Sequence, residues 1–461
     1  MAKPTDIRIC DLRTRTEQIK YRAPIKFGGR VVTDVVLLHV WAEVDTRDGR
    51  PGTGFGSMPM GNAWSWPSQV VADTDTLAAM IALGHDVVNL ARGYRQFAHP
   101  LQITTDLARD YAALAARITG AAGLGEAMPR LAQLVAASPL EAALHDAQGK
   151  AVGANSYDLL GREHVSSDLE YWLGAEFAGE YLDAYTSRRP KPRMPLYHLV
   201  GALDPLTDAD IVHRIDDGLP ETLPEWIRAN GLTHMKIKLN GDDLAWDVAR
   251  VVSVDGVARV AQAELGQPRW YYSLDFNERC PNVQYVLDFL ARLREQAPLA
   301  LERVQYIEQP THRDLRAHPE NRMHEAARIK PVVIDESLLD YESLLLAREQ
   351  GYSGVALKAC KGHTEALLMG AAAQKHRMFL CVQDLTCPGA SFLHSASLSC
   401  RIPTVAAIEG NSRQYCPAGN RDWSGRYPGM FQITDGQVRT EELDGPGLGG
   451  WGAGTSERPS I

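Results

Sequence analysis

Eight short apolar runs, separated by segments of helical period, occupy the chain from about residue 195 onward. They are LYHLVG, HMKIKL, YYSLDFN, VQYIEQP, PVVIDES, GVALKAC, MFLCVQD and VAAIEG, with stretches such as NVQYVLDFLARLREQ and YESLLLAREQ between them. Short strands alternating with helices predict parallel strands joined by helical crossovers, and eight repeats predict a closed, TIM-like (β/α) barrel rather than an open sheet. The first third of the chain reads differently. Residues 5–60 suggest an antiparallel meander, with the β-branched VVTDVVLLHVWAEVDT at 31–46, and residues 68–150 are rich in Ala and Leu with helical period. Strands followed by helices predict an α+β unit. The expected organisation is an N-terminal α+β capping domain over 1–150, a barrel over 151–411, and a Gly-, Pro- and Trp-rich segment over 412–461 that packs back on the cap. A chain of 461 residues can bury cores of that size.

The bulk numbers exclude several function classes. The formal net charge is −9 and no basic run offsets it, which argues against a nucleic-acid partner. No stretch of about 18 apolar residues exists, so no membrane span is expected. The start MAKPTDIRIC has no apolar signal core, and the seven cysteines include no C-x-x-C pair. A cytoplasmic protein with reduced thiols is the expectation.

In a parallel barrel, polar residues at the carboxyl ends of the strands converge on one site. Here almost every run ends in such a residue: Asp275 and Asn277 on YYSLDFN, Glu308 on VQYIEQP, Asp335 on PVVIDES, Lys358 on GVALK and Glu409 on VAAIE. Three carboxylates from successive strands form an oxygen-rich pocket that suits a hard divalent cation, Mg²⁺ above others. The second run, THMKIKLNG, places Met235, Ile237 and Leu239 on one face and Lys236 and Lys238 together on the other, because side chains alternate along a strand. Two ammonium groups so close repel, and burying them is costly without a use for them.

Taken singly, these features have ordinary explanations. A strand-end carboxylate more often caps the next helix, and Glu336 is expected to turn away from Asp335 by alternation. The stretch GTGFGSMPMG (52–61) resembles a phosphate loop, but no helix follows, so a hairpin turn is expected. Cys381, Cys387 and Cys400 have no neighbouring histidine to complete a catalytic or metal pattern. It is the ordered set of acids and lysines that stands out.

That set resembles the enolase superfamily, in the branch of mandelate racemase and muconate lactonizing enzyme, over most of the chain. KIK (236–238) is similar to the Lys-x-Lys of the family's second strand, and LDFN (274–277), IEQP (307–310) and IDES (334–337) to its three metal-ligand motifs. ALKACKG (356–362) is similar to its sixth-strand lysine motif, and SPLEAALHDAQGKAVGANSYDLLG (138–161) to the join between its cap and barrel. The resemblance implies Asp275, Glu308 and Asp335 as Mg²⁺ ligands, Lys238 as general acid/base with Lys236 beside it, and Lys358 as a second acid/base across the substrate. Asn277 would lie near the metal. The seventh strand offers Gln383 and Asp384 rather than the histidine of mandelate racemase, so the site resembles the lysine/lysine type of muconate lactonizing enzyme, with Gln383 expected to point inward.

The chemistry so implied is removal of the proton α to a carboxylate, with the charge spread into an ene-diolate that a divalent metal stabilises. A base must be neutral, and nearby positive charge disfavours an ammonium form; Lys236 and the metal supply such charge. Racemisation or epimerisation of a small carboxylic acid is the leading expectation, with sugar-acid or hydroxy-acid dehydration or cycloisomerisation on the same scaffold as alternatives. A Schiff-base lyase and a non-catalytic acid-binding barrel are remote ones. Substrate contacts are expected from the cap segments 23–30 and 56–68, through Lys26 or Arg30 toward a distal anion and through Met58, Met60, Trp64 and Trp66 as an apolar lining. His198 and Glu409 are further pocket candidates. A symmetric homo-oligomer is expected.

Overall fold

The structure, a computed structural model, describes residues 2–27 and 29–450. Strand β1 (Ile7–Phe27) pairs antiparallel with β2 (Arg30–Thr46), and β2 with β3 (Pro51–Pro59), to form a three-stranded sheet. Leu38, Val40, Ala42 and Val44 alternate along β2 and are buried, and they meet Met80, Leu83 and Val87 of the helix Asp73–Arg92 in one core. Helices Pro100–Ala108, Tyr111–Ala121 and Arg130–Val152 complete this unit. The last of these ends at Val152, so the expected boundary at residue 150 falls inside a helix.

The segment GTGFGSMPMG is not the hairpin turn that was expected; most of it is strand β3. Gly52, Gly54 and Gly56 share one face of that strand. A Cβ on Gly54 would collide with the backbone of Ala143 and Ala147, and one on Gly56 with the Pro139 carbonyl. Glycine is needed because β3 lies directly on the helix Arg130–Val152.

The barrel strands are β4 (Met194–Val200), β5 (His234–Lys238), β6 (Tyr271–Asp275), β7 (Val304–Glu308), β8 (Val332–Ile334), β9 (Gly354–Leu357), β10 (Phe379–Val382) and β11 (Ile408–Glu409). They pair parallel in sequence order, and β11 closes on β4 with Ile408 opposite Leu196. Closure leaves these strands no open edge. Tyr197, Tyr306, Val333, Ala356, Cys381 and Ala407 fill the interior below the strand ends. The long interval between Asp275 and Glu308 holds two helices, Val283–Gln296 and Pro298–Arg303.

Residues 412–450 lie against the first unit: Cys416 packs with Ile19, Val35 and Leu37, and Trp423 stacks on Phe55 with ring centres 6.1 Å apart. The same segment adds a two-residue strand, Gln437–Val438, beside β4. Residues 451–461 of the expected tail fall outside the described residues. Among the described residues no helix is long and apolar enough to cross a membrane.

Candidate active site

The register brings the charged strand ends to one level. Lys238 is paired across the sheet with Asp275, and Asp275 with Glu308. Lys236 sits among three carboxylates, with its Nζ 2.8 Å from Glu308, 2.9 Å from Glu409 and 3.1 Å from Asp275. Those carboxylates more than offset the cost of burial and hold the Lys236 ammonium well above its ordinary range. Lys238 donates to Asp275 and, at 3.0 Å, to Asn277 Oδ1. On the far side, Lys358 Nζ lies 3.1 Å from Asp335 Oδ2 and donates to the Asp384 carbonyl at 3.1 Å. Burial opposes the charge on Lys358, but Asp335 outweighs it and its value is raised.

Other expected residues fall in different places. Gln383 points inward and donates to Glu308. Asp384 is turned to the backbone, accepting from Cys387 N at 2.6 Å and Asn411 N at 2.9 Å. Trp64, from the cap, enters the barrel mouth. Lys26 lines a cavity of about 50 Å³ together with Lys238 and Asn277, its Nζ 3.4 Å from Asn240 Oδ1. Arg30 instead pairs with Asp73 and the Ser68 carbonyl inside the cap. Met58 and Trp66 are wholly buried in the main core, while Met60 lies with Trp64 beside Leu385.

His198 does not belong to the barrel interior. Leu199 is the register partner of Lys236, so His198 on the same strand faces outward. Its ring stands 2.7 Å from Arg413 Nη2 and packs against Trp226, at the wall of a separate cavity of about 510 Å³.

Glu336 overturns the expectation that it turns away from Asp335, and Lys361 and Gln309, which had no assigned role, also join the site. Glu336 is buried at 2% exposure and accepts from Trp64 Nε1 at 3.0 Å. Burial and the adjacent Asp335 push its carboxyl up to about 7. Lys361 lies 3.0 Å from Asp335 Oδ1. Gln309, at φ +29°, accepts through Oε1 from Asp335 N at 2.9 Å and Ser337 N at 3.2 Å, which sets the turn carrying Asp335. Asn277 and Glu278 are also left-handed, at φ +45° and +59°. Such backbone costs on the order of 1 kcal/mol or more per residue and collects where function dictates geometry.

Among the described residues no trio of His, Cys, Asp or Glu stands ready as an ion cage, because lysines reach between the carboxylates. The donor set nevertheless suits a hard cation. Among the described residues, five buried carboxyl groups at the site (Asp275, Glu308, Asp335, Glu336 and Glu409) meet four buried ammonium groups (Lys236, Lys238, Lys358 and Lys361). Burial, together with the neighbouring Asp275, pushes Glu308 well up, as expected of a pocket with surplus negative charge. A divalent cation would balance that surplus.

A sequence profile of the enolase C-terminal domain-like family matches residues 219–450. No curated protein sequence matches the chain. Solved structures with the same fold include the L-Ala-D/L-Glu epimerase from Bacillus subtilis, 16% identical with a TM-score of 0.61, covering 96% of this chain and 98% of that one. A dipeptide epimerase from Methylococcus capsulatus, complexed with Mg and the dipeptide L-Arg-D-Lys, is 20% identical with a TM-score of 0.61 over 96% and 99% of the two chains. A muconate lactonizing enzyme from Pseudomonas fluorescens, complexed with muconolactone, is 18% identical with a TM-score of 0.58 over 96% of each.

Proposed function

We propose that this chain, which belongs to the enolase C-terminal domain-like family, is an isomerase that removes and returns the proton on the carbon next to a substrate carboxylate, as a racemase or epimerase. One observation carries the reading. Lys238 and Lys358 end β5 and follow β9, on opposite sides of the three intervening strands that present Asp275, Glu308 and Asp335. Asp275, Glu308 and Asp335 would hold Mg²⁺, and bound there it supplies Lewis-acid stabilisation of the negative charge that develops on the substrate carboxylate. The magnesium in the Methylococcus capsulatus epimerase supports that assignment.

The chain's own groups divide the remaining work. Lys238 Nζ, held by Asn277, takes the proton from one face of the α-carbon, and Lys358 Nζ delivers one to the other face. Lys236 stays charged among its carboxylates and keeps positive potential beside Lys238. The cap covers the barrel mouth, and the water it excludes makes each charge interaction stronger. Lys358 and Gln383, where mandelate racemase carries an acid and a histidine, favour the muconate lactonizing and dipeptide epimerase type, and a small carboxylic acid such as a dipeptide is the substrate proposed.

The test is proton exchange in D₂O with Mg²⁺, using a panel of L,L- and L,D-dipeptides and α-substituted carboxylic acids. Deuterium at Cα with both epimers appearing, abolished by EDTA, is the expected result. A 2-keto acid product would assign dehydration instead, and exchange that survives in both Lys238→Met and Lys358→Met would remove the catalytic assignments.

A further inference from the structure

We infer that Trp64 is a positioning residue for Lys358, so that the cap itself places one of the two proton-transfer groups. The inference rests on the two-lysine reading above.

Trp64 lies in the short helix Asn62–Ser65 and is 5% exposed. Two hydrogen bonds with the barrel, and a close approach at the neighbouring Gly61, fix it. Its indole N–H donates to Glu336 Oε1 at 3.0 Å, and its carbonyl accepts from Arg313 Nη2 at 3.0 Å. Arg313 is itself locked by an ion pair with Glu278. Beside it, Gly61 lies so close to Leu385 that a Cβ would stand 2.6 Å from Leu385 Cδ2. The ring held in this way turns its face to Lys358, whose Nζ is 4.9 Å from the ring centre, with Lys361 Nζ at 5.5 Å.

An ammonium over an indole face is attracted to it, most strongly where water is excluded. Lys358 hangs on a flexible four-carbon stem. Asp335 and the Asp384 carbonyl restrain it from two directions, and the indole supplies a third wall. Among the described residues, the second oxygen of Glu336 has no hydrogen-bond partner. A buried carboxylate placed so incompletely is costly, and the contact it does make is the one that orients this ring. Lys238, by contrast, is held by Asp275 and Asn277 on the other side of the site. Loss of Trp64 should therefore injure one proton transfer and spare the other.

The experiment is deuterium exchange in D₂O with Mg²⁺, started separately from each epimer of the dipeptide that wild type exchanges fastest. In Trp64→Leu, exchange of the epimer whose α-proton faces Lys358 should fall about 10–100-fold in kcat. Exchange of the other epimer should change less than about threefold, and that retained rate also reports an intact fold. Trp64→Phe, which keeps a ring face, should recover most of the loss. In a crystal structure of Trp64→Leu, Lys358 Nζ should leave its present position. Equal slowing of both epimers, a change confined to KM, or an unmoved Lys358 would overturn the inference while leaving the proposed function intact. If wild type exchanges neither epimer of any panel compound, the proposed function falls, and this inference with it.

Discussion

Lys236 occupies the middle of the carboxylate cluster with 1% of its surface exposed, and Glu308, Glu409 and Asp275 all lie within 3.1 Å of its Nζ. Removing one partner of a buried ionic cluster leaves uncompensated charge, at about 3–5 kcal/mol. Lys236→Met should therefore lose stability of that order in urea denaturation with EDTA present, and Mg²⁺ should restore part of it. A loss under about 1 kcal/mol would mean that the cluster does not depend on this lysine. That both lysines of THMKIKLNG share one face was legible from alternation, and that this face is the inward one was implied by the resemblance. The division of labour between them was not legible from alternation, because it depends on which acids the neighbouring strands bring alongside. Glu336 shows where alternation stops being a guide. Strand β8 ends at Ile334, so Asp335 and Glu336 already lie in the turn beyond it, and both reach the site. The role of Lys361 stayed open for a related reason. The 3₁₀ turn Ala359–Lys361 brings residues three apart to one side, so Lys358 and Lys361 both meet Asp335.

At the level of elements, β3 and the helix Arg130–Val152 meet backbone to backbone. The glycine face of the strand lets two backbones touch, much as small residues let helices approach. Gly54→Ala would force a Cβ into the Ala143 and Ala147 backbone. It should lose upward of about 2 kcal/mol, read as a shift in thermal or urea midpoint. Gly125→Ala, where a Cβ meets nothing within 4 Å, is the matched control and should be near neutral. The eight barrel strands were legible because each is an apolar run bounded by turn residues. Strand β3 was not, since a strand that buries glycine against a helix carries no hydrophobic alternation and imitates a turn in composition.

For the whole molecule, the buried histidines set the response to acid. His99, His145, His198, His234, His363 and His394 are all buried, and burial holds each below its ordinary value, His99 and His363 at about 3 and His234 at about 4. The unfolded chain takes up these protons near pH 6.5 while the native state refuses them, so stability falls as pH drops below about 6.5, by about 1.4 kcal/mol per unit for each net proton. Buried Glu141, Glu336 and Asp384, pushed up to about 7, about 7 and about 6, half-buried Glu365, pushed up to about 8, and Glu308, pushed well up, act in the opposite sense. They hold protons that the unfolded chain releases, so they offset part of the loss down to about pH 4.5 and no further. The two sets oppose each other between pH 6.5 and about 4.5, so Tm should change only shallowly there and fall steeply below about 4.5, where the carboxyl offset ends; a Tm unchanged between pH 4.5 and 3 would refute this. Several of these histidines meet where cap and barrel join, His145 lying 4.7 Å from His363 and 6.0 Å from His99 between ring centres. No sequence pattern announces that cluster, since its members come from elements far apart in the chain. The sequence by itself determined the barrel, the cap and the ring of acids and lysines at the strand ends, because period and strand-end chemistry are local properties. Only the tertiary structure decided which way His198 faces, that Glu336 and Lys361 join the site, and that Trp64 reaches Lys358, because contacts across strands and between cap and barrel depend on closure and register, which no local stretch encodes.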